Sequence, residues 1–442
     1  MTPNPAIIKS VEQLGYRVTV GDVAAQAGLE INQAQQGLLA LASEAGGHLQ
    51  VAESGDIAYL FPKNFRSILR NKYLRLQLKE WWEKIWAVLF YLIRISFGII
   101  LIVSIVLIFA AIAIIIITLS ASDSDNNSGG GSRNRSGGGG GIFFFPRFWI
   151  GPDIFWFFDP TYSPRSRRQR PQNRRSTNEN EMNFLEAIFS FLFGDGNPNA
   201  DIEERRWQEI GAVIRNNQGA VVAEQIMPYL DDFDNRGDYE DSLLPVLTRF
   251  NGYPEVSPDG EIIYYFPELQ VTARNQSHSA VPEYLQEKLW QFSRAGSGQL
   301  IAAAALGAVN IIGALVLNSL LQDGQVAAQI GGLVAFVDSI YWLLLGYGTA
   351  FLTIPLLRYF WIQWKNPQIQ ARNQKRETRA LALNSGDSTL QQKISYARQF
   401  AAQKVIGEED ISYSTETDLI DQEIKRSDRI DEEWQRRLES GS

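Results

Sequence analysis

Residues 37–62 (GLLALASEAGGHLQVAESGDIAYLFP) return without a gap as residues 242–267 (SLLPVLTRFNGYPEVSPDGEIIYYFP). Leu38/Leu243, Leu39/Leu244, Gly47/Gly252, Val51/Val256, Gly55/Gly260, Ile57/Ile262, Tyr59/Tyr264, Phe61/Phe266 and Pro62/Pro267 are identical pairs at one constant offset. A chain that carries one segment twice, with its apolar and glycine positions kept, is constrained to build one local fold twice. The pattern reads as a winged helix. In the first copy, Ala6–Leu14 is helical and Arg17–Val20 is a short strand. Gly21–Ala27 is a second helix behind Thr19 as N-cap, and Ile31–Ala45 a third that buries Leu38, Leu39, Leu41 and Ala42. Two alternating strands, His48–Ala52 and Asp56–Phe61, then meet at a Ser54–Gly55 turn. The second copy repeats the plan over Trp207–Arg215, Ala220–Ala223, Glu224–Leu230 and Tyr239–Phe250, with a hairpin over Pro258–Gly260 and an acidic insertion at Asp231–Asp238.

Each copy leads into membrane-length apolar sequence. Ile95–Leu119 holds no charge, and at 1.5 Å per residue it spans roughly 37 Å, more than the ~30 Å of a hydrocarbon core. Trp81, Trp82, Trp86 and Tyr91 suit the interface, and Arg94 is expected to snorkel toward it. Two further spans, Gln299–Leu321 and Gly331–Phe360, are expected to form a hairpin whose short link, Gln322–Gln329, lacks Lys and Arg. Ala302, Ala305, Gly307, Ala308, Gly313 and Ala314 allow close helix approach. Asp338 is the one acid inside a span. An intramembrane carboxylate is a functional candidate, weighed here against a structural hydrogen bond to Ser339, Tyr341 or Asn310.

Met1 leads directly into an amphipathic stretch, so the first span is expected to act as an uncleaved anchor. Basic residues mark the retained side: Lys63, Arg66, Arg70, Lys72, Arg75, Lys79 and Lys84 before the first span, and Lys365, Arg372, Lys375, Arg376 and Arg379 after the last. A third basic run, Arg165 to Arg175, follows one crossing. The charge rule therefore favours both copies on one face, whereas three spans put them on opposite faces. Ile142–Phe158 (IFFFPRFWIGPDIFWFF) is apolar enough to dip back, but Pro146, Arg147, Pro152 and Asp153 oppose a full span.

The charges disfavour nucleic acid, whose affinity rests on Lys and Arg contacts to phosphate. Residues 1–62 carry two bases, Lys9 and Arg17, against six acids, and residues 201–267 carry five arginines against fourteen acids. Gln33, Gln35 and Gln36 suit base edges, yet helix three has no cation to hold a duplex. The chemical inventory is equally thin. There is no cysteine, which excludes thiol nucleophiles, disulfides and Cys-ligated zinc or iron–sulfur centres. His48 and His278 are the only histidines, and neither has a second ligand or nucleophile nearby in sequence. Gly137–Gly141 lacks the Lys-Ser/Thr of a phosphate loop. The stretches from Asp232 to Gly237 and from Asp195 to Asn199 imitate calcium loops but fail, at Leu243 and Ala200 respectively. No catalytic, cofactor-binding or metal site is assigned, and no cofactor is expected.

The linkers differ in kind. Ser120–Gly141 reads as flexible, Ser163–Asn180 as a basic tract suited to anionic headgroups or to solvent, and Met182–Phe193 as a short amphipathic helix lying on the membrane or against the second module. Ser388–Ile406 and Thr417–Leu438 read as helical.

The module, the Trp-rich helix, the Ile-rich span, the FSFLFGDGNPN stretch at 189–199, the second module and the hairpin together resemble a family of uncharacterised membrane proteins from cyanobacteria and plant chloroplasts. Plant members carry the label iron–sulfur cluster biosynthesis family protein. That label does not transfer to a chain without cysteine; the resemblance implies only a thylakoid or plasma-membrane location in a cyanobacterium.

The reading that follows is an α-helical integral membrane protein with two small α+β winged-helix-like modules. Module 1 covers residues 1–65, an amphipathic and first transmembrane helix 66–119, and a flexible, aromatic and basic linker 120–181. An amphipathic helix with module 2 covers 182–270, a connecting helix 271–298, the transmembrane hairpin 299–361, and a charged helical tail 362–442. The expected role is a non-catalytic membrane-anchored scaffold or assembly protein, its modules cytoplasmic, its partners membrane lipid and other membrane proteins, with self-association left open. A membrane-tethered transcription regulator and an oligomeric transporter component are the alternatives.

Overall fold

The computed structural model describes residues 4–72, 74–125, 182–231, 239–275, 278–321, 324–385, 387–424, 427 and 434–435. In chain order the elements are α1 (Pro5–Gln13), β1 (Arg17–Thr19), α2 (Val20–Ala27), α3 (Ile31–Ala45), β2 (His48–Ala52), β3 (Ile57–Leu60), α4 (Phe65–Lys72), α5 (Leu74–Asp125), α6 (Phe184–Phe193) and α7 (Ile202–Asn216). There follow β4 (Ala220–Val222), α8 (Ala223–Ile226), α9 (Tyr239–Phe250), β5 (Tyr253–Val256), β6 (Ile262–Tyr265), α10 (Pro267–Gln270), β7 (Val271–Thr272) and α11 (Ser297–Leu321). The last are α12 (Gln325–Ile330), α13 (Gly332–Ser339), α14 (Tyr341–Leu383), α15 (Ser388–Ala397), β8 (Lys404–Val405) and β9 (Ile411–Ser414). The chain divides into two compact units, one of residues 1–80, 198–289 and 367–442, the other of residues 81–197 and 290–366.

The first unit contains both copies of the repeat, and they share a fold. Each has helices packed on a three-stranded antiparallel sheet, ordered β1-β3-β2 in one and β4-β6-β5 in the other. The register repeats too: Val18 faces Tyr59 as Val221 faces Tyr264, and Val51 faces Ile57 as Val256 faces Ile262. The repeated glycines explain themselves. A Cβ on Gly47 would stand 2.8 Å from the Phe61 ring, and one on Gly252 2.3 Å from the Phe266 ring. Gly55 and Gly260 turn the two hairpins at φ +87° and +84°, a region open to glycine at little cost. Thr19 caps α2 as expected, in a reciprocal capping box with Asp22. Apolar residues of both copies, among them Val11, Leu38, Phe61, Ile210, Val246 and Phe266, form one continuous core.

Residues 278–296 contain no helix, contrary to the expected connecting helix over 271–298. In the first unit, asparagine side chains take over the backbone bonds that a helix would make. Asn199 accepts from Lys288 N at 2.7 Å and donates to its carbonyl at 2.8 Å; Asn373 does the same to Glu287, and Asn216 to Ser279. Each amide satisfies one donor and one acceptor, so an extended path leaves no orphaned polar group at these residues. The tail also departs from the helical expectation, because Lys404–Val405 and Ile411–Ser414 are strands.

Among the described residues of the chain, three helices are long and apolar enough to cross a membrane: Trp81–Ala121, Ser297–Leu321 and Tyr341–Leu383. In the second unit they pack in two layers. Leu101, Ala303 and Phe351 meet α6 in one; Ile108, Ile115, Ala314, Leu321 and Leu344 meet α12 and α13 in the other. Thus α5 and α11 run the same way and α14 runs back. Small residues set the approach: a Cβ on Gly307 would stand 2.6 Å from Phe351, and one on Gly348 2.4 Å from Asn310 Oδ1. The helix α6 packs on the spans. It buries Phe184, Ile188 and Phe191 beside Leu101 and Phe351, and Arg358 donates to the carbonyls of Ser190 and Phe191 at its C-terminal end. Arg94 pairs with Asp195 at 3.5 Å, while the other Asp195 oxygen accepts from Arg294 N at 2.7 Å.

The helix α5 runs on through Ser120–Asp125, the first part of the tract expected to be flexible. The rest of that tract, Gly137–Gly141, Ile142–Phe158 and Ser163–Asn180 lie outside the described residues, as does the acidic stretch after Asp231.

Candidate functional site: the paired modules and their tail strap

Where the two copies meet, α2 crosses α7 at the closest distance that backbone allows. A Cβ on Gly211 would stand 2.9 Å from Ala25 Cα and 3.0 Å from its carbonyl oxygen. Polar groups lock the crossing. Asp22, 1% exposed, accepts from Arg215 at 2.7 Å with one oxygen, and from Thr19 N at 2.9 Å and Ala273 N at 3.0 Å with the other. Arg249 of the second copy donates to the Gly28 carbonyl at 2.5 Å and lies 4.1 Å over the Trp207 ring. Arg17 donates to Gln50, to the Ala273 carbonyl and to the Ile406 carbonyl. Burial lowers the pKa of Arg17 and Arg249 from the ordinary guanidinium value, Glu408 opposing this for Arg17 and Glu30 for Arg249.

The described arginines of the second module are engaged, two of them across the pairing. In the second module Arg205 binds Asp201 and the Gln286 carbonyl, Arg206 binds Glu203 and Asp231, and Arg215 and Arg249 bind the first module. What α3 turns outward is Asn32, Gln33, Gln35, Gln36, Leu39 and Ser43; α9 turns out Leu244, Pro245 and Thr248. The repeated pair Leu39 and Leu244 is exposed in both copies, at 52% and 60%. Leu39 therefore lies outside the core, contrary to the helical pattern, because Leu38, Leu41 and Ala42 complete the inner face.

The tail straps both sheets. On the second module, Ala397 of α15 packs on Val222 and Ile263, and Lys393 pairs with Glu224 at 3.0 Å and Glu261 at 3.3 Å. The chain then passes β7, which β8 joins in parallel, and buries Ile406 on Ala52, Ala58 and Val271. It goes on as β9, a fourth strand along the outer edge of β2. Farther round, α14 reaches the extended segment: Arg376, 3% exposed, bonds the Leu285 carbonyl, Glu287 at 3.0 Å and Asp231 at 2.6 Å. Burial raises the Glu287 carboxyl, but Arg372 and Arg376 outweigh it and hold the group below the usual range.

No protein-family model matches the chain and no solved structure matches it. It is 40% identical over 447 aligned residues to the "Uncharacterized protein At5g03900, chloroplastic" of Arabidopsis thaliana, an alignment covering 97% of this chain and 81% of the relative. The chain belongs to that protein's family. The relative's name places it in the chloroplast.

The residues weighed for chemistry stay apart. His48 is at the strap, its Nδ1 3.2 Å from the Thr415 carbonyl, and His278 is exposed beside a crevice lined by Arg215 and Gln403. No group of three or more His, Asp or Glu suited to a metal occurs among the described residues. Asp338 is not inside a continuous span: α13 ends at Ser339 and α14 starts at Tyr341. The Ser339 hydroxyl donates to the Phe336 carbonyl, and Asn310 donates to Ser104 at 2.6 Å instead. Gly331 and Gly332, at φ +67° and +54°, interrupt the helix upstream. Sequence reasoning missed Glu209, which lies in a cleft of about 230 Å³ with Gln26, Ala212 and Pro282. Its Oε2 is buried with no hydrogen-bond partner among the described residues. Burial pushes its carboxyl up to about 6, with Arg205 and Arg376 opposing. The cleft is smaller than the ~300–1,000 Å³ of ordinary ligand pockets.

Proposed function

We propose that the chain is a membrane-anchored scaffold, its two modules winged helices used for protein contact. The observation that carries this reading is the fate of the charges: four arginines of the second module are spent within the paired modules, while α3 turns out glutamines and both third helices expose the repeated leucine. Such faces lack the cations that grip phosphate and suit a protein partner with a polar rim around an apolar centre. The three apolar helices support integral membrane placement, and the chloroplastic relative supports a thylakoid-related membrane as the site.

The same reading puts both modules on one face of the bilayer. Phe184 shares a layer with Leu101, whereas Asp125 lies 24 residues farther along α5, about 36 Å at the helical rise. An even number of crossings fits that placement and the basic tracts alike. The direct test is affinity purification of the tagged chain from membranes in several mild detergents. Co-purification of defined membrane proteins in constant ratio is expected, and recovery of the chain alone in every detergent would sink the scaffold reading. Salt-dependent duplex binding by the whole chain would favour a regulator instead.

A further inference from the structure

The two copies treat the outer edge of their sheets differently. In the first, Ala52 donates inward to Asp56 of the hairpin, so Leu49, Val51 and Glu53 point their backbone groups outward. The tail uses all three. Leu49 N donates to Thr415 Oγ1 at 2.9 Å and its carbonyl accepts from Thr415 N at 3.0 Å. The Val51 carbonyl accepts from Ser412 Oγ at 3.1 Å, and Glu53 N donates to the Asp410 carbonyl at 2.9 Å. In the second copy Ser257 donates inward to Glu261, so the corresponding outward positions are Pro254, Val256 and Pro258. Prolines stand where Leu49 and Glu53 donate. Without those N–H groups the edge cannot extend a ladder, and β5 is the end strand of its sheet.

From this divergence we infer that the outer edge of β2 is a strand-acceptor site, and that the partner it fits is the segment Asp410–Thr415 of a second copy of this chain, exchanged for its own. The seated strand is held by hydrogen bonds, from its main chain and from the Ser412 and Thr415 hydroxyls, rather than by packing. No β9 side chain is buried; Ser412 and Tyr413 are exposed, and Ile411 and Ser414 half-buried. Just upstream, Ile406 is 1% exposed and its carbonyl accepts from Arg17, so the strap stays anchored when β9 lifts. Between them lies a single turn, closed by Gly407 N donating to Asp410. Opening that turn lets two copies trade β9 and remake the same ladder reciprocally, a two-fold exchange that forfeits no strand contact. The prolines confine exchange to one edge per chain, which closes the assembly at a dimer.

The absence of native cysteine makes the test direct. Val51 and Tyr413 are register partners, so chains carrying V51C are mixed with chains carrying Y413C in solubilised membranes and then oxidised. A disulfide-linked dimer is expected from the mixture and not from either variant alone; the doubly substituted chain should close internally as well. If only the double variant cross-links, the second copy is excluded as the partner. In parallel, a chain ending at Ile406 is titrated with a labelled Gly407–Thr417 peptide. It should bind at least tenfold more tightly than the full chain does, and L49P/E53P should abolish binding while leaving the melting temperature of the truncated chain in place. Equal binding by full and truncated chains would overturn the acceptor site itself.

Discussion

Asp22 of the first copy and Arg215 of the second form a 2.7 Å ion pair in which the carboxylate is buried and the guanidinium nearly so. The same carboxylate caps α2 and accepts from the backbone of Ala273, so one side chain ties three segments. Asp22→Ala should strip Arg215 of this buried carboxylate and leave α2 short of a cap, at a loss of about 3 kcal/mol. Denaturant melts of the solubilised chain would show it as a shift of one transition, since both copies share a core. Two separate transitions would contradict the shared core.

Gly211 should tolerate no side chain. A Cβ there meets the Ala25 backbone, which cannot rotate away, so Gly211→Ala should cost about 1–3 kcal/mol by overpacking. Gly346, with nothing within 4 Å of its Cβ position, is the control. Alanine there should be neutral or stabilising by up to about 1 kcal/mol. Equal thermal shifts for the two variants would refute the close crossing.

Glu209 should make stability pH-dependent in the opposite sense to the ion pairs. Its folded pKa of about 6 lies above the ordinary carboxyl value of 4.5, so the native state holds the proton more tightly than the unfolded chain. The favourable contribution is complete below the unfolded value and is lost as pH rises through about 6. Glu209→Gln should therefore be nearly neutral at acidic pH and stabilising above neutrality by about 1 kcal/mol, after discounting for solvent screening. A constant difference across that window would show that the carboxyl titrates normally.

Glu287 titrates the other way. Arg372 and Arg376 hold its carboxyl below the usual range, so its contribution is full above the unfolded carboxyl pKa and lost as pH falls through the lower folded value. Arg376→Met removes the buried partner of Glu287 and should cost about 3 kcal/mol near neutrality, with the deficit shrinking in acid. A pH-independent deficit would assign the role of Arg376 to packing alone.

Single cysteines at Gln33 and Thr248, both exposed, should react with an impermeant maleimide from the same side of sealed vesicles. One at Thr118, exposed near the other end of α5, should react from the opposite side. Opposite labelling of Gln33 and Thr248 would exclude the single-face topology and the paired modules together.

Sequence alone determined what is local or periodic. The constant offset between copies carried register, hairpin turns and the Gly47–Phe61 and Gly252–Phe266 contacts, because side-chain alternation and glycine sterics depend on near neighbours. Length and apolar composition likewise marked the three apolar helices. Tertiary structure decided the rest. The segment from Ser279 to Arg294 has helix-forming residues yet stays extended, since Asn199, Asn216 and Asn373 supply backbone partners from distant elements. The strand Ile411–Ser414 exists only because Leu49, Val51 and Glu53 offer an open edge, and Arg94 finds Asp195 only when α6 has docked. These are long-range hydrogen bonds and charge pairs, whose partners are set by which surfaces come together; local propensity does not encode them.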